Sequence, residues 1–208
     1  MLYFISFLCS TNSYCQTDSS NTYKNKLLCG IEIGPATGLF FLTGNAKQQV
    51  NEGWCYANVG ITLTYNRFQL MLQTGGITTT IKENLVYGQD WIKDYKIGSV
   101  NFQSSLGYQV VCNKSINVIP FITGGCKNFK AWDDKTNEGP GETKYTFTYA
   151  LGSTIDYKIY APHFGYGLVY FYLRILTGIY PNYFENPLKT NGNLYFINLS
   201  IGGVFKSY

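Results

Sequence analysis

From residue 27 onward, apolar and polar residues alternate almost one for one in eight runs, and the connections between runs go long, short, long, short. A period of two places one row of each run on one face and the second row on the other, which is the pattern of half-buried strands. Eight such runs joined in sequence predict an all-β chain: an eight-stranded antiparallel up-and-down transmembrane β-barrel with short turns at one end and long loops at the other.

The first run is Leu27 to Gly34, with Leu27, Cys29, Ile31 and Ile33 on the apolar row. The second is Trp54 to Tyr65, where Ala57, Val59, Ile61, Leu63 and Tyr65 alternate with Asn58, Gly60, Thr62 and Thr64. A tight turn at Asn66-Arg67 leads to the third, in which Phe68, Leu70 and Leu72 oppose Gln69, Met71 and Gln73. Gly75 and Gly76 suggest a bulge or bend there. The fourth alternates Val100, Phe102, Ser104, Leu106, Tyr108 and Val110 with Asn101, Gln103, Ser105, Gly107 and Gln109. After a turn at Asn113-Lys114, the fifth runs from Ile116 to about Cys126 and contains Pro120, which lacks a ladder donor and predicts an irregularity. The sixth spans Lys144 to Lys158, the seventh about Gly165 to Ile179, and the eighth carries Tyr195, Ile197, Leu199, Ile201 and Phe205 on its apolar row. The long connections are 35–53, 79–96, 127–143 and 181–192. The first of them holds an apolar patch, Leu39-Phe40-Phe41-Leu42, able to extend a strand or meet a membrane surface.

Which row faces inward decides the class. A soluble carrier of lipocalin type turns its apolar row into a cavity, whereas a membrane barrel turns it outward. Here the polar row is made of Gln, Asn, Ser, Thr and Gly, and charged residues are only 13% of the chain. A water-facing row normally carries many charges, while an enclosed lumen is better served by neutral amides and hydroxyls. The chain is also 17% aromatic, and Tyr56, Tyr65, Phe68, Tyr108, Tyr145, Tyr157, Tyr180, Tyr195 and Phe205 fall toward run ends, where interfacial girdles sit. The membrane sense is therefore expected, with the soluble apolar-ligand carrier as the alternative. The few charges on the inward row are Glu32, Lys144, Asp156, Lys158 and Arg174. Glu32, Arg174, Asp156 and Lys158 are expected to form an ion network in the lumen, because buried charge must be paired.

The N-terminus divides differently. Met1 to Leu8 is apolar and Ser13 and Cys15 are small, so residues 1–15 read as a secretory signal peptide cleaved before Gln16. No Lys or Arg precedes the apolar run, which leaves room for a start further upstream. Residues 16–26 form a polar periplasmic lead, and 27–208 the barrel domain. Neither Cys9 nor Cys15 has the small residues before it that a lipid-attached Cys needs. Cys29, Cys55, Cys112 and Cys126 show no metal-ligand spacing; Cys29 and Cys55 lie on the apolar phase, as small hydrophobes facing lipid or neighbours, with a disulfide open in an oxidising compartment.

No reaction chemistry emerges. The single histidine, His163, lies in a turn beside Pro162, the pair Asp133-Asp134 lies in a polar loop, and no phosphate-binding or nucleophile motif occurs. No catalytic residue, cofactor or metal is expected, and a net charge of +4 without a basic stripe argues against nucleic acid.

The pieces GIEIG, FQLMLQTGG, Tyr95 to Gly98, NVIPFITGG, YALGSTIDYKI and the final NLYFINLSIGGVF make residues 27 to 208 resemble the PorT-like, or porin-family, outer-membrane β-barrel proteins of Bacteroidota. Phe205, rather than the terminal Tyr208, fits the outward phase of the last strand. The resemblance implies the outer membrane, with its lipid and the barrel-assembly machinery as partners, and an extracellular ligand or a secretion-system partner as further possibilities. The namesake of the family works in a secretion system. The sequence reading is thus a non-enzymatic outer-membrane barrel, its lumen filled by side chains, with a structural or surface-interaction role carried by its long loops. The alternatives are the soluble carrier and an accessory component of a secretion system.

Overall fold

The computed structural model describes residues 27–206 apart from 35–37, 87–89, 137–138, 140, 143–144, 160–167 and 186–187. The signal peptide and lead expected over 1–26 lie outside these residues, as do Lys144, His163 and Tyr208. Nine strands build the wall: β1 (Leu27–Gly34), β2 (Gly38–Leu42), β3 (Gly53–Tyr65), β4 (Phe68–Thr80), β5 (Lys96–Tyr108), β6 (Ile116–Trp132), β7 (Thr146–Ile159), β8 (Leu168–Tyr180) and β9 (Leu194–Lys206). All pair antiparallel with their neighbours, and β1 pairs with both β9 and β3, which closes the sheet. Strand β2 lies between the same two neighbours, with Leu39 opposite Ile197 and Trp54, so β1 and β2 form one interrupted stave. The result is an eight-staved antiparallel up-and-down barrel, the transmembrane class of this architecture, with no free sheet edge to protect. The apolar patch 39–42 thus extends a strand.

The outward row is the apolar one. Ile33, Phe102, Leu106, Ile122, Leu151, Ile155, Ile197 and Ile201 are all exposed, and Phe147 is 70% exposed. The soluble-carrier alternative required these residues to line a cavity, and the structure turns them the other way. Tyr65, Phe68, Tyr108, Tyr145, Tyr157 and Tyr195 are exposed near strand ends. Tyr180 departs from that group: it is buried at the mouth of the lumen, packed 5.1 Å from the Phe196 ring.

At the end where the described chain begins and ends, Leu28 pairs with Lys206. Two described turns lie there, after β3 and before β6. Asn66 takes φ 54° between β3 and β4, a left-handed conformation that Asn tolerates better than most residues. The Asn113 side-chain amide oxygen accepts hydrogen bonds from the backbone N–H of Ser115 (2.9 Å) and Ile116 (2.7 Å), which shapes the turn into β6.

Three departures from strict alternation matter. The β3–β4 register shifts between Tyr56 and Val59, opposite Gly75. A one-residue slip reverses the side chains beyond it, so Trp54 is 61% exposed and Cys55 is buried in the lumen, opposite to the phase expected for Cys55. The glycines at 75–76 mark the bulge, but the extra residue sits on the facing strand. At Pro120, the ladder to β5 stops at Gly107–Phe121 and resumes at Val111–Val118 with one extra residue on the β5 side. The ladder to β7 continues unbroken through Pro120–Ser153, so the proline sits where its missing N–H has no waiting acceptor. Finally, β6 runs on to Trp132 rather than ending near Cys126. Lys127, Asn128 and Phe129 are buried strand residues, not the start of a solvated loop.

Candidate functional site

The lumen has two layers. The layer nearer the short turns is polar and centres on Arg174 of β8, which is 1% exposed. Its Nη1 donates to Glu32 Oε2 at 2.5 Å, its Nε to Asp156 Oδ1 at 2.6 Å and its Nη2 to Asp156 Oδ2 at 2.8 Å. The Asp156 contact is the two-point geometry that a planar guanidinium suits best. Cross-strand pairing places it: Asp156 faces Arg174 directly, and Arg174 faces Ser200. Ser200 Oγ in turn donates to Glu32 Oε1 at 2.6 Å, and Asn58 Nδ2 reaches the same oxygen at 3.5 Å. The Tyr172 ring lies 4.7 Å from the guanidinium carbon, and it fits because Gly202 opposite has no Cβ, which would collide with the phenol.

Of the four residues expected in the ion network, the structure brings Glu32, Asp156 and Arg174 together. Lys158 is also buried but sits at the short-turn end. Its Nζ donates to the Asn113 carbonyl at 2.7 Å and lies 5.3 Å from the centre of the Tyr170 ring. Lys158 lies two strand positions below Asp156, where the turn carbonyl holds its ammonium.

The layer under the long loops is apolar and was not legible in the alternation. Phe40, Leu42, Ile77, Ile81, Ile97, Phe121, Phe129, Leu176, Leu194 and Phe196 fill it. Described residues between β8 and β9 fold down into this layer: Tyr183, Phe184 and Leu188 are 0–1% exposed. Phe184 stacks on Phe129 with ring centres 5.4 Å apart. The Tyr183 hydroxyl bonds Ser99 Oγ (2.7 Å) and Asn101 Oδ1 (2.8 Å), and burial pushes its phenol pKa well up, so it serves as a neutral donor. Buried Lys127 donates from Nζ to the Tyr183 carbonyl and lies 4.2 Å from its ring centre. Further bonds tie the segment to the short helix α1 (Gly44–Gln49): Thr190 Oγ1 donates to Gln49 Oε1 at 2.5 Å, and Ala46 N–H to the Asn191 carbonyl at 3.0 Å. A Tyr-Phe pair two residues into a loop, after Pro181-Asn182, was the available sequence signal for this plug.

The remaining candidates fall into structural roles. Asp133 accepts from the Lys135 N–H and the Thr136 hydroxyl, and Asp134 pairs with Lys96 at the surface, 2.6 Å apart. Cys29, Cys55 and Cys126 are free thiols, and the Cys112 Sγ accepts from Lys158 Nζ at 3.9 Å. Among the described residues, no group of three or more His, Cys, Asp or Glu is arranged to hold a metal ion. Among the described residues the geometry holds charge and fills space.

No family profile and no curated protein sequence matches the chain. Solved structures do resemble it. Neisserial surface protein A is 8% identical, with a TM-score of 0.51 over 87% of this chain and 97% of that one. Ail, the attachment invasion locus protein of Yersinia pestis, solved in complex with the heparin analogue sucrose octasulfate, is 12% identical, with a TM-score of 0.52 over 86% of this chain and 99% of that one. At these identities the likeness is one of fold: the chain has the architecture of bacterial outer-membrane barrels of eight strands.

Proposed function

We propose that this chain is a non-enzymatic outer-membrane protein, a closed scaffold that holds its long loops at the cell surface for a structural or surface-interaction role. The single observation that carries the reading is the pairing of an apolar exterior with a filled lumen. An exterior of Phe102, Leu106, Leu151 and Ile197 suits acyl chains, and in water so large an apolar surface would drive association. A lumen closed by the Arg174 cluster below and by Tyr183, Phe184 and Leu188 above suits a scaffold better than a solute pore. Its partners on this reading are outer-membrane lipid and the barrel-assembly machinery. The resemblance to the PorT-like family supports the same compartment.

Cell fractionation with heat-modifiable gel migration tests the placement, and protease access from outside intact cells tests which end faces out. The account expects outer-membrane fractionation and cleavage in the long loops around 133–136. Recovery in the soluble fraction without detergent would refute the membrane reading, and large stable channels in a planar bilayer would refute the closed lumen.

A further inference from the structure

Between the two lumen layers lies a small chamber of about 50 Å³. Its polar lining is made of carboxamides from five positions, Asn58, Gln73, Asn101, Gln103 and Asn198, together with Tyr180. No charged side chain lines it, so a free ion gains no counter-charge there. Two polar atoms of its lining residues are buried and bonded to nothing in the protein: Gln73 Nε2, a donor, and Asn198 Oδ1, an acceptor. Asn198 is 93% buried by its 7% exposure. Buried unpaired amide groups are costly, and native structures rarely leave them so.

A donor and an acceptor on two residues that line one neutral cavity call for a guest that both gives and takes hydrogen bonds. The space limits its size. An ordered water needs roughly 10–15 Å³ of such volume, so about three to five fit. We infer that the chamber is a binding site for a cluster of ordered waters, held by Gln73 and Asn198.

The cluster would also join networks that the protein alone leaves apart. Asn58 lines the chamber and reaches Glu32 Oε1 at 3.5 Å. On the loop side, the Gln103 amide pairs with the Tyr180 hydroxyl at 2.5 and 2.8 Å, and Asn101 accepts from Tyr183 at 2.8 Å. Water in the chamber completes a hydrogen-bonded path from the ionic cluster, through the amides, to the plugged mouth. The inference concerns only the lumen interior, so its failure would leave the outer-membrane reading standing.

The test is an experimental structure of the folded barrel in detergent or lipid, at a resolution that shows solvent, paired with water-to-protein magnetisation transfer in solution. The expected result is density for a cluster within hydrogen-bond distance of Gln73 Nε2 and Asn198 Oδ1, and transfer from water to the Gln73 side-chain amide protons. The cluster should shrink and that transfer should weaken in Asn198→Leu, while the Arg174 contacts persist. A chamber that is dry, that holds a non-water guest, or that has collapsed with Gln73 bonded directly to Asn198 would overturn the inference. So would a Gln73 amide that shows no transfer in the wild-type protein.

Discussion

Replacing Arg174 with Leu should expose how much the lumen depends on one side chain. The substitution keeps bulk near the Tyr172 ring but removes the positive charge that sits 2.5 Å from Glu32 and 2.6 Å from Asp156. Both carboxylates remain buried, at 0% and 2% exposure. Removing one partner of a buried pair costs about 3–5 kcal/mol, mostly because the other charge is left unpaired, which is ~10²- to 10³·⁵-fold in the folded-to-unfolded ratio. Here one arginine serves two carboxylates, so the loss should fall toward the upper end. Arg174→Lys should recover only part, since an ammonium cannot reproduce the fork that spans both partners. The triple change Glu32→Gln, Asp156→Asn, Arg174→Met should recover most of the stability, because no unpaired charge remains. The assay is urea unfolding in lipid vesicles, followed by the gel shift between folded and unfolded forms. The loss should also persist from about 0.1 M to 1 M salt, since buried pairs are screened little. An Arg174→Leu protein that unfolds at the wild-type urea concentration would refute the reasoning.

Other substitutions separate the remaining parts of the structure. Gly202→Ala drives a methyl group into the Tyr172 phenol and should destabilise by about 1–3 kcal/mol, with relief in the Gly202→Ala, Tyr172→Leu double variant; unfolding curves of the single and double variants decide it. Phe184→Ala empties a fully buried site and should cost about 3–5 kcal/mol in the same assay if the plug packs as a core, whereas a loop resting on the surface would lose almost nothing. Breaking the exposed Lys96–Asp134 pair should change stability by no more than ~1 kcal/mol, and a larger effect would mean that the third long loop is held more firmly than its exposure implies. Leu151→Arg places a charge on the outward row and should cost about 2–4 kcal/mol in a bilayer if that position lies near mid-depth; unchanged refolding into vesicles would contradict a lipid-facing Leu151.

The alternation carried the architecture because a strand has only two faces. Once Phe102, Leu106 and Leu151 share a row, Asn101, Ser105 and Thr154 must share the other, and the neutral character of that second row already pointed to an enclosed lumen. The pairing of Asp156 with Arg174 was within reach for the same reason: both fall on inward phases of consecutive strands. The alternation could not show what depends on counting through a bulge, so Cys55 came out with reversed facing. Nor could it show that a lysine can be interior. Lys127 looks like the first residue of a polar loop, yet its ammonium is held by the Tyr183 carbonyl and ring, partners that come from 56 residues away. The height of Lys158, at the turn rather than beside Arg174, was out of reach for a related reason, since phase fixes the face of a residue but not its height. The plug was hidden because the sequence after Tyr180 has no periodicity, and the burial of Tyr183 and Phe184 depends on partners from distant strands, Phe129, Ser99 and Asn101.

The account rests on the apolar row meeting acyl chains, and one measurement reaches that directly: nuclear Overhauser contacts between lipid chain protons and side-chain methyl groups of the folded protein in a bilayer disc. The expected result is strong contact from acyl methylenes to the methyls of Ile31, Leu106, Leu151 and Ile197, and none to the buried methyls of Ile119 and Leu176. Contacts from water to the first set, or from lipid to the second, would contradict it.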